Sequence, residues 1–98
     1  MAREPLAIDE IAEKLASLPN WQLSEESDTI TRRFTFRNFN AAFGFMTRVA
    51  LLAEKMDHHP DWRNVYKTVE VTLSTHDADG LTDLDFDMAN RMEAFADG

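Results

Sequence analysis

The sequence predicts an α+β fold in which a four-stranded antiparallel sheet carries three helices packed on one face. Three segments hold apolar residues at spacings of three and four, the period of an amphipathic helix. Two segments alternate apolar and polar residues, as half-buried strands do. The links are hairpin-like, and 98 residues suit one domain, so we treat 1–98 as a single domain.

The first part of the chain predicts a helix and two strands. Apolar residues recur at helical spacing over 8–16, and Leu18-Pro19 ends this helix. Residues 21–23 predict a short strand, followed by a polar turn. The alternation over 29–37 predicts a half-buried strand, with Arg32 as the one charged residue on its apolar side.

The longest helix is predicted over Asn38–Met56. Its apolar residues follow helical spacing, and either Asn38 or Asn40 is available as the N-cap. Pro60 stops helical continuation because its ring lacks an N–H and pushes the preceding residue toward an extended conformation.

The remaining chain predicts two more strands and a last helix. A short strand is expected over 61–66, and Val69, Val71 and Leu73 mark a clearer one. The turn at 77–80 then leads to a helix that runs almost to residue 98, with Thr82 as its N-cap.

Composition excludes several classes of function. Eighteen acidic and ten basic residues give a net charge of −8, which disfavours nucleic acid and anionic membranes as partners. The absence of cysteine excludes disulfides, thiolate catalysis and iron–sulfur clusters. The N-terminus lacks the apolar region of an export signal, and no apolar run approaches a membrane span. We therefore expect a cytoplasmic protein.

All three histidines lie in two short windows at predicted element boundaries. His58 and His59 follow the long helix, and His76 follows the last strand. Histidine, with an unperturbed pKa of about 6.5, is suited to proton transfer near neutrality. If the helix continued, Glu54 and Asp57 would share a face with His58 and could orient its imidazole. Periodicity alone does not bring His76 near the other two.

These windows resemble the pterin-4a-carbinolamine dehydratases. The clustering of two histidines, a proline and a tryptophan, with a Thr-His pair downstream, is a highly specific signature of that family. The similarity extends over nearly the whole chain. It includes Leu18-Pro19-x-Trp21, Phe34-x-Phe36, residues 39–46, Glu54 to Tyr66, Val69 to Asp77, and Gly80-Leu81-Thr82-x-x-Asp85.

The resemblance implies a lyase that removes water from 4a-hydroxytetrahydrobiopterin to give quinonoid dihydropterin, in tetrahydrobiopterin recycling. Protonating the leaving oxygen and removing the N5 proton requires only imidazoles, so we expect neither a metal nor an organic cofactor. It implies catalytic roles for His58, His59 and His76, while which is acid and which is base stays open. The residues expected to bind or orient the pterin are Glu54, Asp57, Trp62 (as a wall for the flat ring), Ser74, Thr75 and Asp77.

The resemblance and the exposed edges of a predicted sheet favour a homodimer or homotetramer. Other functions stay open on the residues alone. A metal site is the first, although adjacent histidines diverge on a helix. The second is a non-catalytic dimerisation or transcriptional cofactor module that binds a transcription factor through the long helix, as some members of the family do. Asp77, Asp79, Asp83 and Asp85 also suit turn, cap and solvated positions.

Overall fold

A computed structural model describes residues 4–97 of the chain. Its elements are α1 (Ile8–Leu15), β1 (Gln22–Leu23), β2 (Ile30–Thr35), α2 (Phe39–Met56), β3 (Asp61–Val65), β4 (Thr68–Leu73) and α3 (Asp83–Asp97). The four strands form one antiparallel sheet in the order β1-β2-β4-β3, which confirms the predicted α+β class. Within residues 4–97, no helix has the length and apolar character needed to cross a bilayer.

The central strands pair in a register that gathers their apolar side chains on one face. Ile30 lies opposite Leu73 and Phe34 lies opposite Val69, and all four are buried. Burial of this apolar face against the helices is the main stabilising term of such a layered fold. The helices contribute the buried residues Ile11 from α1, Ala42, Phe45, Val49, Leu52 and Ala53 from α2, and Phe86, Met88, Ala89 and Met92 from α3.

Arg32 interrupts the apolar face of β2 and is paired rather than exposed. Its guanidinium forms an ion pair with Glu93 of α3 and lies 4.1 Å from the centroid of the Phe34 ring. Oε2 of Glu93 also accepts a hydrogen bond of 2.9 Å from Nε1 of Trp21. Because a half-buried charge is tolerated when it is paired, Arg32 belongs to the packing of the sheet against α3.

Both ends of α2 are set by single residues. Asn38 is the N-cap, since its side chain accepts a hydrogen bond of 2.8 Å from the N–H of Ala41. The helix ends at Met56, before Pro60, because Asp57 adopts a left-handed conformation with φ of 52°. His58 therefore lies outside the helix. The first helix also ends earlier than expected, at Leu15 instead of Leu18-Pro19, and a hydrogen-bonded turn follows it.

We predict that Asn38→Ala lowers the free energy of unfolding by about 1 kcal/mol, because an N–H at the start of α2 loses its acceptor. Urea denaturation followed by circular dichroism measures this change. Asn40→Ala is the matched control, since Asn40 lies within the helix and a change to alanine there should not destabilise it. Equal losses in both variants would contradict the assignment of Asn38 as the cap.

Candidate active site

The three histidines lie in two separate windows of the sequence, yet they line one cleft. The cavity has a volume of about 590 Å³. Two other cavities of the described residues, of about 490 and 500 Å³, contain no histidine. Grouping of titratable side chains in a cleft is what proton-transfer chemistry requires. The lining residues of the histidine cleft are Asp57, His58, His59, Ser74, Thr75, His76, Asp77 and Leu84.

The end of α2 forms one side of the cleft. The left-handed conformation of Asp57 turns the chain out of the helix, and the N–H of His58 donates to the carbonyl oxygen of Ala53 at 3.1 Å. The chain then runs into Pro60 and β3. His58 and His59 therefore occupy a short connection held at both ends by regular structure.

The end of β4 forms the other side. The N–H of Thr75 donates to the carbonyl oxygen of Gly80 at 2.8 Å, which closes a tight loop. Within this loop, residues 76–78 form a single 3₁₀ turn, and Asp79 is left-handed with φ of 54°. His76 is the first residue of the turn and is exposed, while Thr75 beneath it is buried. The loop thus presents His76 at the rim of the cleft.

His58 is buried and is held by a carboxylate from α3. Its Nε2 lies 2.7 Å from Oδ1 of Asp85, whose side chain is fully buried. Oδ2 of Asp85 accepts hydrogen bonds of 2.8 Å from the Thr75 hydroxyl and of 2.9 Å from the N–H of Thr82. A buried carboxylate is stable only when hydrogen bonds compensate its lost hydration, and three donors do so here.

His59 is exposed, and Glu54 contacts it. Nε2 of His59 lies 2.6 Å from Oε2 of Glu54. The prediction that Glu54 and Asp57 orient His58 along a helical face is wrong, because α2 ends at Met56 and the helical spacing does not reach His58. Each of the two adjacent histidines instead has its own carboxylate, one buried and one exposed.

Most of the residues expected to serve the site lie in the cleft. All three histidines line it, together with Asp57, Ser74, Thr75 and Asp77. Glu54 is not among the lining residues, but it contacts His59, which is. Trp62 is absent from the lining; it is half-buried in β3 and packs against the hydrophobic core. Its role as a wall for the ring stays a prediction.

Sequence reasoning missed Leu84 and Asp85. Of the turn, cap or solvated positions expected for Asp85, the cap role is confirmed, since Oδ2 accepts from the Thr82 N–H, but a solvated position is wrong, since the side chain is 0% exposed and contacts His58. The spacing Thr82-x-x-Asp85 was the available signal: an acidic residue three positions after an N-cap turns back toward the cap N–H. Nothing in that spacing indicated that the second oxygen would meet a histidine. Among the described residues, no group of three or more histidine or acidic side chains could hold a metal ion.

We predict that Asp85→Ala lowers the free energy of unfolding by about 3 kcal/mol, because it leaves buried donors without their acceptor. Chemical denaturation measures the loss. Asp83→Ala is the matched control two residues away: the Asp83 side chain is exposed, forms an ion pair with Lys14 at 3.2 Å, and should contribute less than about 1 kcal/mol. Similar effects of the two changes would show that burial of Asp85 has little energetic weight.

Comparisons with known proteins agree with this architecture. A protein of Chelativorans sp. (strain BNC1) named "Putative pterin-4-alpha-carbinolamine dehydratase" is 59% identical over 96 residues, which cover 98% of each chain. A crystal structure described as a transcriptional coactivator/pterin dehydratase from Brucella melitensis is 48% identical and superposes with a TM-score of 0.92, covering 95% of this chain and 99% of that one.

A more distant structure shares the fold. It is described as a pterin dehydratase-like protein and a RuBisCO assembly factor in the alpha-carboxysome, with 22% identity and a TM-score of 0.68 over 79% of this chain and 89% of that one. The family model described as Pterin 4 alpha carbinolamine dehydratase matches residues 4–95. With this match and the close relatives, the chain belongs to the pterin 4 alpha carbinolamine dehydratase family.

Proposed function

We propose that this protein removes water from 4a-hydroxytetrahydrobiopterin to give quinonoid dihydropterin, by histidine general acid/base catalysis, in tetrahydrobiopterin recycling. The supporting observation is the single cleft that His58, His59 and His76 line in a member of this family. A cleft of about 590 Å³ is within the size range of small-molecule sites. The close relatives carry the name of the same activity.

The reaction requires two proton transfers and the breaking of one bond. The 4a-oxygen accepts a proton and leaves as water when the C4a–O bond breaks. The lone pair of N5 forms the C4a=N5 double bond, and the N5 proton passes to a base. One positioned acid and one positioned base therefore suffice, and each contributes on the order of 10²–10⁴ in rate.

The cleft supplies these groups from two sides. His58 and His59 follow α2, whereas His76 follows β4. A flat ring between the two segments would have an imidazole near each face. The carboxylates of Asp85 and Glu54 lie at hydrogen-bond distance from Nε2 of His58 and of His59, and would hold the two rings in orientation. Asp57, Ser74 and Asp77 line the same cleft and would orient the polar edge of the pterin.

We predict that His76→Ala lowers the dehydration rate by one to three orders of magnitude, because it removes one proton-transfer group from the cleft. The assay mixes protein with freshly generated 4a-hydroxytetrahydropterin, in buffer with a chelator, and follows the absorbance of the quinonoid product. His58→Ala and His59→Ala should affect the two 4a-hydroxyl epimers unequally, since one group cannot serve both faces equally.

Circular dichroism and thermal melting control for the fold in each variant. Full activity of the His59→Ala, His76→Ala double variant would contradict the mechanism. A large loss of activity on chelation, restored by zinc or iron, would show that the reaction depends on a metal ion and would contradict the proton-transfer mechanism.

A second function, as an interaction module that acts through α2, is supported by the outer surface of that helix. Phe39, Phe43 and Leu51 are 47%, 52% and 70% exposed, and the two phenylalanine rings lie 5.6 Å apart. Large apolar side chains grouped on a surface favour association. We propose a homodimer or homotetramer as the first use of this surface. A transcription factor is the alternative partner, in line with the description of the Brucella melitensis relative as a coactivator.

We predict that size-exclusion chromatography with light scattering reports at least a dimer at micromolar concentration. Phe43→Glu should lower the mass toward that of one chain, because it places a charge in the apolar contact. Ala94→Glu adds the same charge at an exposed position of α3 and should leave the mass unchanged. A monomeric wild-type protein would refute self-association and leave the surface to a different partner.

A further inference from the structure

We propose that the hydroxyl groups of Thr75 and Thr82 determine which nitrogen of His58 faces the cleft, and that they act through the carboxylate of Asp85. They are positioning residues in this assignment: neither hydroxyl needs to touch substrate. The inference deepens the proposed function, because it identifies the state in which His58 would enter the reaction. It also predicts a property of the protein in the absence of substrate, namely the tautomer of His58.

A continuous chain of hydrogen bonds joins the start of α3 to His58. The N–H of Leu84 donates to Oγ1 of Thr82 at 3.3 Å, and the hydroxyls of Thr82 and Thr75 lie 2.7 Å apart. The Thr75 hydroxyl lies 2.8 Å from Oδ2 of Asp85, and Oδ1 lies 2.7 Å from Nε2 of His58. All four side chains in this chain, those of Thr82, Thr75, Asp85 and His58, are buried.

The direction of each hydrogen bond follows from the backbone N–H groups, which can only donate, and from the single proton of each hydroxyl. The N–H groups of Leu84 and Thr82 can only donate, the first to the Thr82 hydroxyl and the second to Oδ2 of Asp85. The Thr75 hydroxyl donates its single proton to Oδ2 of Asp85. It can therefore only accept from Thr82, so the Thr82 hydroxyl donates to Thr75. Every proton in the chain therefore points toward Asp85, which acts only as an acceptor, as an ionised carboxylate does.

This arrangement specifies the tautomer of His58. Because Asp85 can only accept, Nε2 of His58 must carry a hydrogen, and Nδ1 of the neutral ring keeps the free lone pair. Nδ1 has no hydrogen-bond partner among residues 4–97. Among these residues, the one buried side-chain polar atom without a partner is Nε of Arg32, so Nδ1 is not a buried atom. Nδ1 is thus open to the cleft and is the nitrogen that accepts a proton.

Thr75 also connects the two histidine windows. Its side chain contacts Asp85, while its backbone holds the loop that carries His76 through paired hydrogen bonds with Gly80 of 2.8 and 3.4 Å. The carbonyl oxygen of Thr75 accepts from the N–H of Ala78 at 3.1 Å, which closes the 3₁₀ turn. One residue thereby sets the position of His76 and the state of His58.

The direct test is the tautomer of His58, read from imidazole ¹⁵N chemical shifts of the full-length protein. The neutral wild-type ring should carry its hydrogen on Nε2. In Asp85→Asn the two donors at Oδ2 require the amide oxygen, so the amide NH₂ must face His58. Nε2 then has to accept, and the hydrogen moves to Nδ1. We expect an inverted tautomer and a fall in kcat of at least about 10²-fold, since the corresponding Asp→Asn change in a Ser-His-Asp triad costs about 10⁴.

Thr75→Val tests the hydroxyl chain itself. It should make the minor tautomer of His58 detectable and lower kcat by about 10-fold to 100-fold, as loss of an outer partner does for metal-bound histidines, with KM nearly unchanged. Thr75→Ser keeps the hydroxyl and should restore both readouts. Thr72→Val is the matched control: it removes a threonine–threonine hydrogen bond of 3.3 Å that joins Thr72 of β4 to Thr31 of β2 and does not involve Asp85.

Specific outcomes would overturn the inference. These are a wild-type His58 with its hydrogen on Nδ1, an unchanged tautomer in Asp85→Asn, or a Thr75→Val variant that raises KM and keeps kcat, as a substrate-binding hydroxyl would. The tautomer measurement needs no substrate. If the protein failed to dehydrate the carbinolamine but showed the expected shifts, the proposed function would fail and the positioning by Thr75 and Thr82 would stand.

Discussion

The arrangement of the cleft depends on one buried carboxylate, that of Asp85. A carboxylate without water is unstable unless donors surround it, and the donors here come from three separate parts of the chain. They are the backbone at the start of α3, the Thr75 hydroxyl after β4, and the His58 ring after α2. Satisfying Asp85 therefore determines where these three segments meet. The cleft opens beside that meeting point.

Backbone geometry adds a second constraint at the same place. Asp57 and Asp79 are both left-handed, with φ of 52° and 54°, and they flank the two histidine windows. Aspartate tolerates this region better than most residues because its short side chain bonds to local backbone groups. Each reverses the chain within one residue, at the end of α2 and at the end of the 3₁₀ turn. The histidines thus lie on short turns of defined shape attached to a helix and a strand.

The spacing of apolar residues was sufficient to predict the helices and strands, because each of these elements buries one face. Arg32 breaks the alternation in β2 but keeps its place on the apolar face, where it is paired with Glu93, a residue far away in sequence. The class of fold followed from the order of elements. The order of the strands in the sheet could not be predicted in this way. It depends on α2 crossing the sheet, so that β4 pairs with β2 as well as with its neighbour β3.

The candidate site was predictable as a set of residue types but not as a network. The clustering of the histidines identified the two windows, the family resemblance implied their roles, and the cleft brings them together. The pairing of His58 with Asp85, 27 residues apart, left no periodic signature. The end of α2 at Met56 was predicted correctly, although Pro60 was the only visible stop signal. The residue that ends the helix, Asp57, does so through a conformation that many residues adopt rarely and that composition does not reveal.

Charge in the cleft is consistent with a reaction that passes through cations. Its lining includes Asp57 and Asp77, with Asp85 directly behind His58, and it contains neither lysine nor arginine. In the proposed dehydration, positive charge forms on an imidazole, on the protonated leaving oxygen, and on the ring until N5 loses its proton. Nearby carboxylates favour each of these states, because opposite charges attract. A lysine or arginine in the lining would oppose all three, so the acidic composition that disfavours phosphate-rich partners also suits the proton chemistry.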